Sequence, residues 1–211
     1  MLFTFNIDTQ TVEVINDKGQ CIASVETISK HIAKIEQEIE EVLPSIGLNP
    51  KGFSEALHFE IPEYELAKNP IAKIAPEGLS QWKHFRKLAN NACFQVLGLT
   101  QTWEEIRIWP HHFDTGIYIV PTKKLGIGFG LAMEDGMAGA PYFYLSGYPL
   151  QGEIIYKNLP QSEDWEWKTG DDWKGATLKL DMLQKQDVTE QLKRVDQYII
   201  ENVKWFLGYE N

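Results

Sequence analysis

The densest group of chemically capable side chains in this sequence is Trp109-Pro110-His111-His112-Phe113-Asp114. Histidine is the side chain whose ordinary pKa lies near neutrality, and a carboxylate beside it fixes its tautomer and orients it as base or ligand. Read as one strand with a two-residue period, Ile106, Ile108, His112, Asp114 and Tyr118 share one face. Arg107, Trp109, His111, Phe113, Ile117 and Ile119 share the other. His112 and Asp114 then stand on the same side, roughly 7 Å apart along the strand, within direct or water-bridged reach. They are the candidate catalytic pair. The two histidines diverge on this reading, and a bulge at Pro110 would swap their faces, because proline is confined to sheet edges and bulges.

Two neighbouring segments could complete a pocket. Gly126-Ile127-Gly128-Phe129-Gly130 has glycine at every second position. A hairpin that sets Val120 opposite Leu125 places Gly128 against Ile117 and Gly130 against Thr115, leaving bare backbone beside Trp109 and Phe113. That space would suit a ligand, or the glycines would simply be covered by aromatic rings. Tyr142, Tyr144, Ser146 and Tyr148 line one side of the following strand. Such a row offers stacking faces with hydrogen-bonding tips for sugars, nucleobases or other flat polar ligands; its structural alternative is the half-buried side of a sheet.

Several chemistries lack their signatures. The glycine run is not a dinucleotide fingerprint, since its third glycine comes too soon and a Met133-Glu134-Asp135-Gly136 turn follows where a helix is needed. No phosphate loop is present, and no cofactor is expected. Neither Gly-x-Ser-x-Gly nor a cysteine beside a loop histidine supports acyl transfer. A metal centre needs three or four ligands, and His111, His112 and Asp114 supply only a start, without His-Glu-x-x-His spacing, so no metal is expected. His31, His58 and His84 read as structural, and Glu36, Glu38, Glu40 and Glu41 as a solvated helix face.

The elements that must position these groups are legible from periodicity. Residues 2–25 alternate as a three-stranded meander with an Asp-Lys-Gly turn. Ile28, Ile32, Ile35, Ile39 and Val42 predict a helix over Thr27–Leu43, ended by Pro44 and Gly47. Ala56 to Ile61 reads as a strand. Pro76 opens a second helix that Gly98 stops. Strands follow over Ile106–Val120, Leu125–Met133, Tyr142–Tyr148 and Ala176–Met182, and Asp187, with Glu190 three residues on, caps a final helix reaching Gly208. Strands grouped before a packing helix, twice, give an α+β class with antiparallel sheet and suggest a degenerate duplication.

Composition limits the partners. The 211 residues are 43% hydrophobic and 24% charged, with 7 Trp, 8 Tyr and 10 Phe, as in an ordered globular protein. The net charge of −10 is spread over both halves and disfavours nucleic acid and anionic membrane, which need a basic face. Cys21 and Cys93, far apart and without Cys-x-x-Cys spacing, read as free thiols in a reducing cytoplasm. The N-terminus has neither the basic lead nor the apolar stretch of a signal peptide or membrane span. An edge strand or exposed aromatic patch would allow a dimer.

The strand Trp109 to Gly116, the run Tyr142 to Pro149, the opening meander and the ending Trp205-Phe206-Leu207-Gly208-Tyr209 together resemble an uncharacterised bacterial protein family, a domain of unknown function. The resemblance covers most of the chain and implies no reaction, cofactor or partner. It matches the family's pattern at Trp109, His112, Phe113 and Asp114. The expectation is therefore a single α+β domain over 1–211, with 1–100 and 101–211 as sub-units sharing a core and three long helices on the sheet. Its function is expected to be small-ligand binding or interaction, through an aromatic pocket lined by Trp109, His111, His112, Phe113, Asp114, Tyr142, Tyr144 and Tyr148. The alternative is a metal-dependent hydrolase using His111, His112 and Asp114.

Overall fold

The computed structural model describes residues 1–58, 68–109 and 113–208. It is α+β, with every strand pair antiparallel. Contacts group the chain into two compact units, Met1–Lys83 and His84–Asn211, so the boundary falls inside a helix and not near residue 100.

In the first unit β1 (Leu2–Asn6), β2 (Thr11–Ile15) and β3 (Cys21–Glu26) form the expected meander, in the order β1-β2-β3. Its second turn is held by Asn16, whose Oδ1 accepts the Lys18 and Gln20 amides, and by Gly19 at φ 74°. Helix α1 (Ile32–Val42) starts five residues later than the expected Thr27. Tertiary contacts take the intervening backbone: Thr27 donates N–H and Oγ1 to the Gln10 carbonyl, and Ser29, at φ 63°, donates its N–H to Ile71. Pro44 turns the helix end into a 3-10 segment (Leu43–Ile46), closed by Gly47 at φ 79°. Residues 56–58 form no strand, and the rest of the strand expected there lies outside the described residues.

Helix α2 (Pro76–Thr100) runs past Gly98. It stops where Gln101 adopts φ 51° and the Thr102 N–H reaches back to the Leu97 carbonyl, a left-handed cap made by a residue other than glycine. Among the described residues the second unit holds six strands: β4 (Arg107–Trp109), β5 (Asp114–Ile119), β6 (Leu125–Ala132), β7 (Tyr142–Pro149), β8 (Glu166–Thr169) and β9 (Lys174–Lys179). Their order is β4-β5-β6-β7-β9-β8, so β8 lies on the outer edge. The strand expected to continue to Met182 gives way to a short helix α3 (Asp181–Gln184). Helix α4 (Val188–Gly208) has the expected cap, the Glu190 amide donating to Asp187 Oδ1 at 2.9 Å. Of the three main helices only α2 and α4, at 25 and 21 residues, are long; α1 has 11.

The core of this unit joins one face of the sheet, Ile117, Ile127, Phe129, Leu131, Phe143, Leu145, Ala176 and Leu178, to Phe85, Ala89, Cys93 and Val96 of α2 and Tyr198, Ile199, Val203 and Phe206 of α4. Gly147 lets α4 approach closely, since a Cβ there would collide with the Phe206 ring. Alternation sends the residues between these to the opposite face, and that face carries the candidate site.

Candidate functional site

The run from Ile106 to Val120 is two strands. Arg107 pairs with Gly116, Ile108 with Thr115 and Trp109 with Asp114, so the chain reverses between Trp109 and Asp114. The single-strand expectation fails at Phe113, whose φ of 57° is a left-handed conformation incompatible with a strand. The faces change accordingly. Trp109 and Asp114, expected on opposite sides, are direct partners and share one face. His111 and His112, and with them the expected His112–Asp114 pair, lie outside the described residues.

The next hairpin is shifted by one residue from the expected register. Gly130 faces Gly116 and Gly128 faces Tyr118, where Thr115 and Ile117 were expected. A one-residue slip moves every side chain to the other face, so the glycine row lies with Asp114, Tyr142, Tyr144 and Tyr148 and away from the apolar core. The space over it is occupied by tyrosine. A Cβ on Gly126 would collide with Tyr118, one on Gly128 would lie 3.1 Å from the Tyr148 ring, and one on Gly130 or Gly116 would lie 2.8 Å from Tyr144 Oη. Tyr118 and Tyr148 pack edge to face at 5.6 Å. Of the two rings expected to flank the bare backbone, Trp109 lies on its face through the pairing with Asp114 and Phe113 is exposed at the turn, while the rings nearest Gly126, Gly128 and Gly130 are tyrosines.

At the Asp114 end the tyrosines become polar. Tyr144 Oη donates to Asp114 Oδ2 at 2.5 Å, and Tyr142 Oη donates to Asp135 Oδ2 at 2.7 Å, with the two rings 6.5 Å apart. Asp135 Oδ1 accepts the Met137 and Ala138 amides, so the turn between β6 and β7 is built around this carboxylate. Asp114 is 8% exposed, and among the described residues its only hydrogen bond is the one from Tyr144. From α2, Arg86 donates to the Phe113 carbonyl and to Thr115 Oγ1, and its guanidinium lies 5.9 Å from the Phe113 ring. It pins the left-handed residue that leads into Asp114.

Burial and the Asp114 charge set the protonation states. Burial, then the charge and hydrogen bond of Asp114, raises the Tyr144 phenol well above its ordinary value; burial and then Asp135 raise Tyr142 likewise. Burial pushes the Cys93 thiol up to about 12, with Asp114 adding to the effect, which removes it as a nucleophile at neutral pH. Burial lowers the Arg86 pKa, and Asp114 opposes that shift. At neutral pH both phenols therefore stay protonated and donate, and the Arg86 guanidinium lies near the buried Asp114 side chain.

Trp109, Asp114, Tyr142 and Tyr144 thus share a face at one end of the sheet, Phe113 is exposed at the turn, and Tyr148 sits toward the other end over Gly128. Arg86 was not singled out from the sequence, and Asp135 was read only as part of a turn and as a possible completing metal ligand. Only three of the 20 Lys and Arg residues are arginine, and the fork of hydrogen bonds Arg86 makes is one lysine cannot reproduce. His84 is structural: its Nε2 meets Gln191 Oε1 at 2.6 Å. Among the described residues no three His, Cys, Asp or Glu side chains converge as a metal site, and no helix is long and apolar enough to cross a membrane. No family model, no curated protein and no solved structure matches the chain.

Proposed function

We propose that this protein is a small-ligand-binding or interaction module whose site lies at the Asp114 end of the six-stranded sheet. The observation that carries the reading is the buried Asp114 carboxylate, held by the Tyr144 hydroxyl at 2.5 Å and set beside Trp109 at the mouth of the β4–β5 turn. A carboxylate is costly to bury, and one retained with Arg86 and two tyrosine hydroxyls around it fits the recognition of a polar, donor-bearing ligand. The resemblance at Trp109, His112, Phe113 and Asp114 supports the same place. The net charge of −10 favours a small molecule or protein over nucleic acid, and the free thiols Cys21 and Cys93 suit a reducing cytoplasm.

The test is a thermal-shift screen of polar metabolites on the wild-type chain and on Asp114→Asn. A ligand at a hundred times its Kd stabilises the native state by about 2.7 kcal/mol, and Asp114→Asn is expected to lose that gain. Hits that stabilise Asp114→Asn equally would place binding elsewhere. Stabilisation by zinc that disappears in His112→Ala would replace this reading with the metal-dependent hydrolase.

A further inference from the structure

The first unit contains a second built feature, independent of the Asp114 site. Gln10 closes the β1–β2 turn at φ 53° and is 2% exposed. Its amide grips the chain at 72–74 in both directions, Nε2 donating to the Ala72 carbonyl at 3.3 Å and Oε1 accepting the Ile74 N–H at 2.9 Å. Ser29, also left-handed, donates its N–H to the Ile71 carbonyl at 2.7 Å, and the Ile71 N–H returns to the Lys30 carbonyl at 2.9 Å. Two residues other than glycine thus hold an unfavourable backbone conformation to fix one short segment. Such positions persist where the surroundings over-determine them, and they cluster at ligand clamps.

The segment they fix is one wall of a groove of about 540 Å³, within the size range of small-molecule sites. Ile28, Ile74 and Leu79 supply apolar surface, and Lys73, Ser80 and the Asp8–Lys83 ion pair, 2.5 Å long, supply the polar part. Two lysines against one aspartate make this lining positive in a chain of net charge −10. Lys83 is committed to Asp8, whereas among the described residues the Lys73 ammonium has no hydrogen-bond or ion-pair partner. An unpaired cation beside apolar surface selects an anionic head with a hydrocarbon body.

We propose that this groove binds a small organic monoanion, its head on Lys73 and Ser80 and its short apolar chain over Ile28, Ile74 and Leu79. The test is amide-resolved NMR titration of the whole chain with hexanoate, with hexylamine and 1-hexanol as controls. Hexanoate is expected to give saturable shifts at residues 72–80, and both controls to bind at least tenfold more weakly. Lys73→Gln should weaken hexanoate by about tenfold, the loss of one charge-assisted hydrogen bond. Ser80→Trp, at an exposed position, should block the groove without unfolding the chain, and Asp114→Asn should leave hexanoate binding unchanged. Shifts that do not saturate, hexylamine binding as tightly as hexanoate, or parental affinity in Lys73→Gln or Ser80→Trp would each overturn the proposal.

Discussion

The two faces of strands β5 to β7 solve the same packing problem in opposite ways. Toward α2 and α4 the strands send Ile117, Ile127, Phe129, Leu131, Phe143 and Leu145, all essentially without exposure, and burial comes from side chains meeting side chains. On the other face β6 gives up its side chains: Gly126, Gly128 and Gly130 leave the backbone bare, and Tyr118, Tyr148 and Tyr144 lie over it. The glycine floor lets three rings lie low on the sheet, and the Tyr144 hydroxyl reaches Asp114. One face supplies stability and the other supplies polar groups in fixed positions.

The largest effect that would sharpen this contrast is on the apolar face. Phe129 has no exposure and stacks on Phe143 at 6.0 Å. Phe129→Ala is expected to cost about 3–5 kcal/mol in urea unfolding, the range for deleting a buried ring. A loss under about 1 kcal/mol would mean that the apolar face is not the main source of stability.

The glycine face should respond position by position. A Cβ on Gly130 would sit 2.6 Å from the Thr115 carbonyl oxygen and 2.9 Å from Gly116 Cα, both backbone atoms that cannot step aside. Gly130→Ala is expected to cost about 1–3 kcal/mol, the usual penalty of overpacking. At Gly128 the neighbour is the half-exposed Tyr148 ring, which can swing away, so Gly128→Ala should stay within about 1 kcal/mol of wild type. Equal losses at the two sites would show that the tyrosine cover is as rigid as the backbone.

A smaller effect than the loss of Phe129 separates the polar end from the rest of that face. Tyr144→Phe removes the donor to a buried carboxylate and should cost about 1–2 kcal/mol at neutral pH. Its dependence on pH has a definite sign. The folded-state phenol is raised above its ordinary 10.0, so the stability it contributes is present below that value and is lost as pH rises above it. Urea midpoints between pH 7 and 11 should therefore fall for the wild type at the alkaline end, and the gap to Tyr144→Phe should narrow there. A gap that widens with pH would refute the raised phenol.

Legibility in the sequence followed the range of the interactions involved. The meander, the Pro76 start, the Asp187 cap and the apolar stripe of α4 depend on residues within one or two turns of each other, and they stand where periodicity places them. Helix α1 begins late because Gln10 and Ile71, far along the chain, take the backbone of Thr27 to Lys30. The site was legible in its residue types, Trp109, Asp114, Tyr142 and Tyr144, but not in its arrangement. A two-residue period carried across Pro110 assumed one strand, and the chain instead turns back to pair Trp109 with Asp114.

By itself the sequence determined the main helices and most of the strands, that the sheets are antiparallel, and that aromatic rings, glycines and one aspartate crowd a single region. Those properties follow from local periodicity and residue chemistry, which need no partner from elsewhere in the chain. Only the tertiary structure decided the register of β5 on β6, the face on which the glycines lie, and the arrival of Arg86 from α2 beside Asp114. The physical reason is that strand faces alternate every residue. A shift of one position, too small to register in any local pattern, exchanges core for surface along a whole strand, and only the packing of α2 and α4 against the apolar side selects between the two.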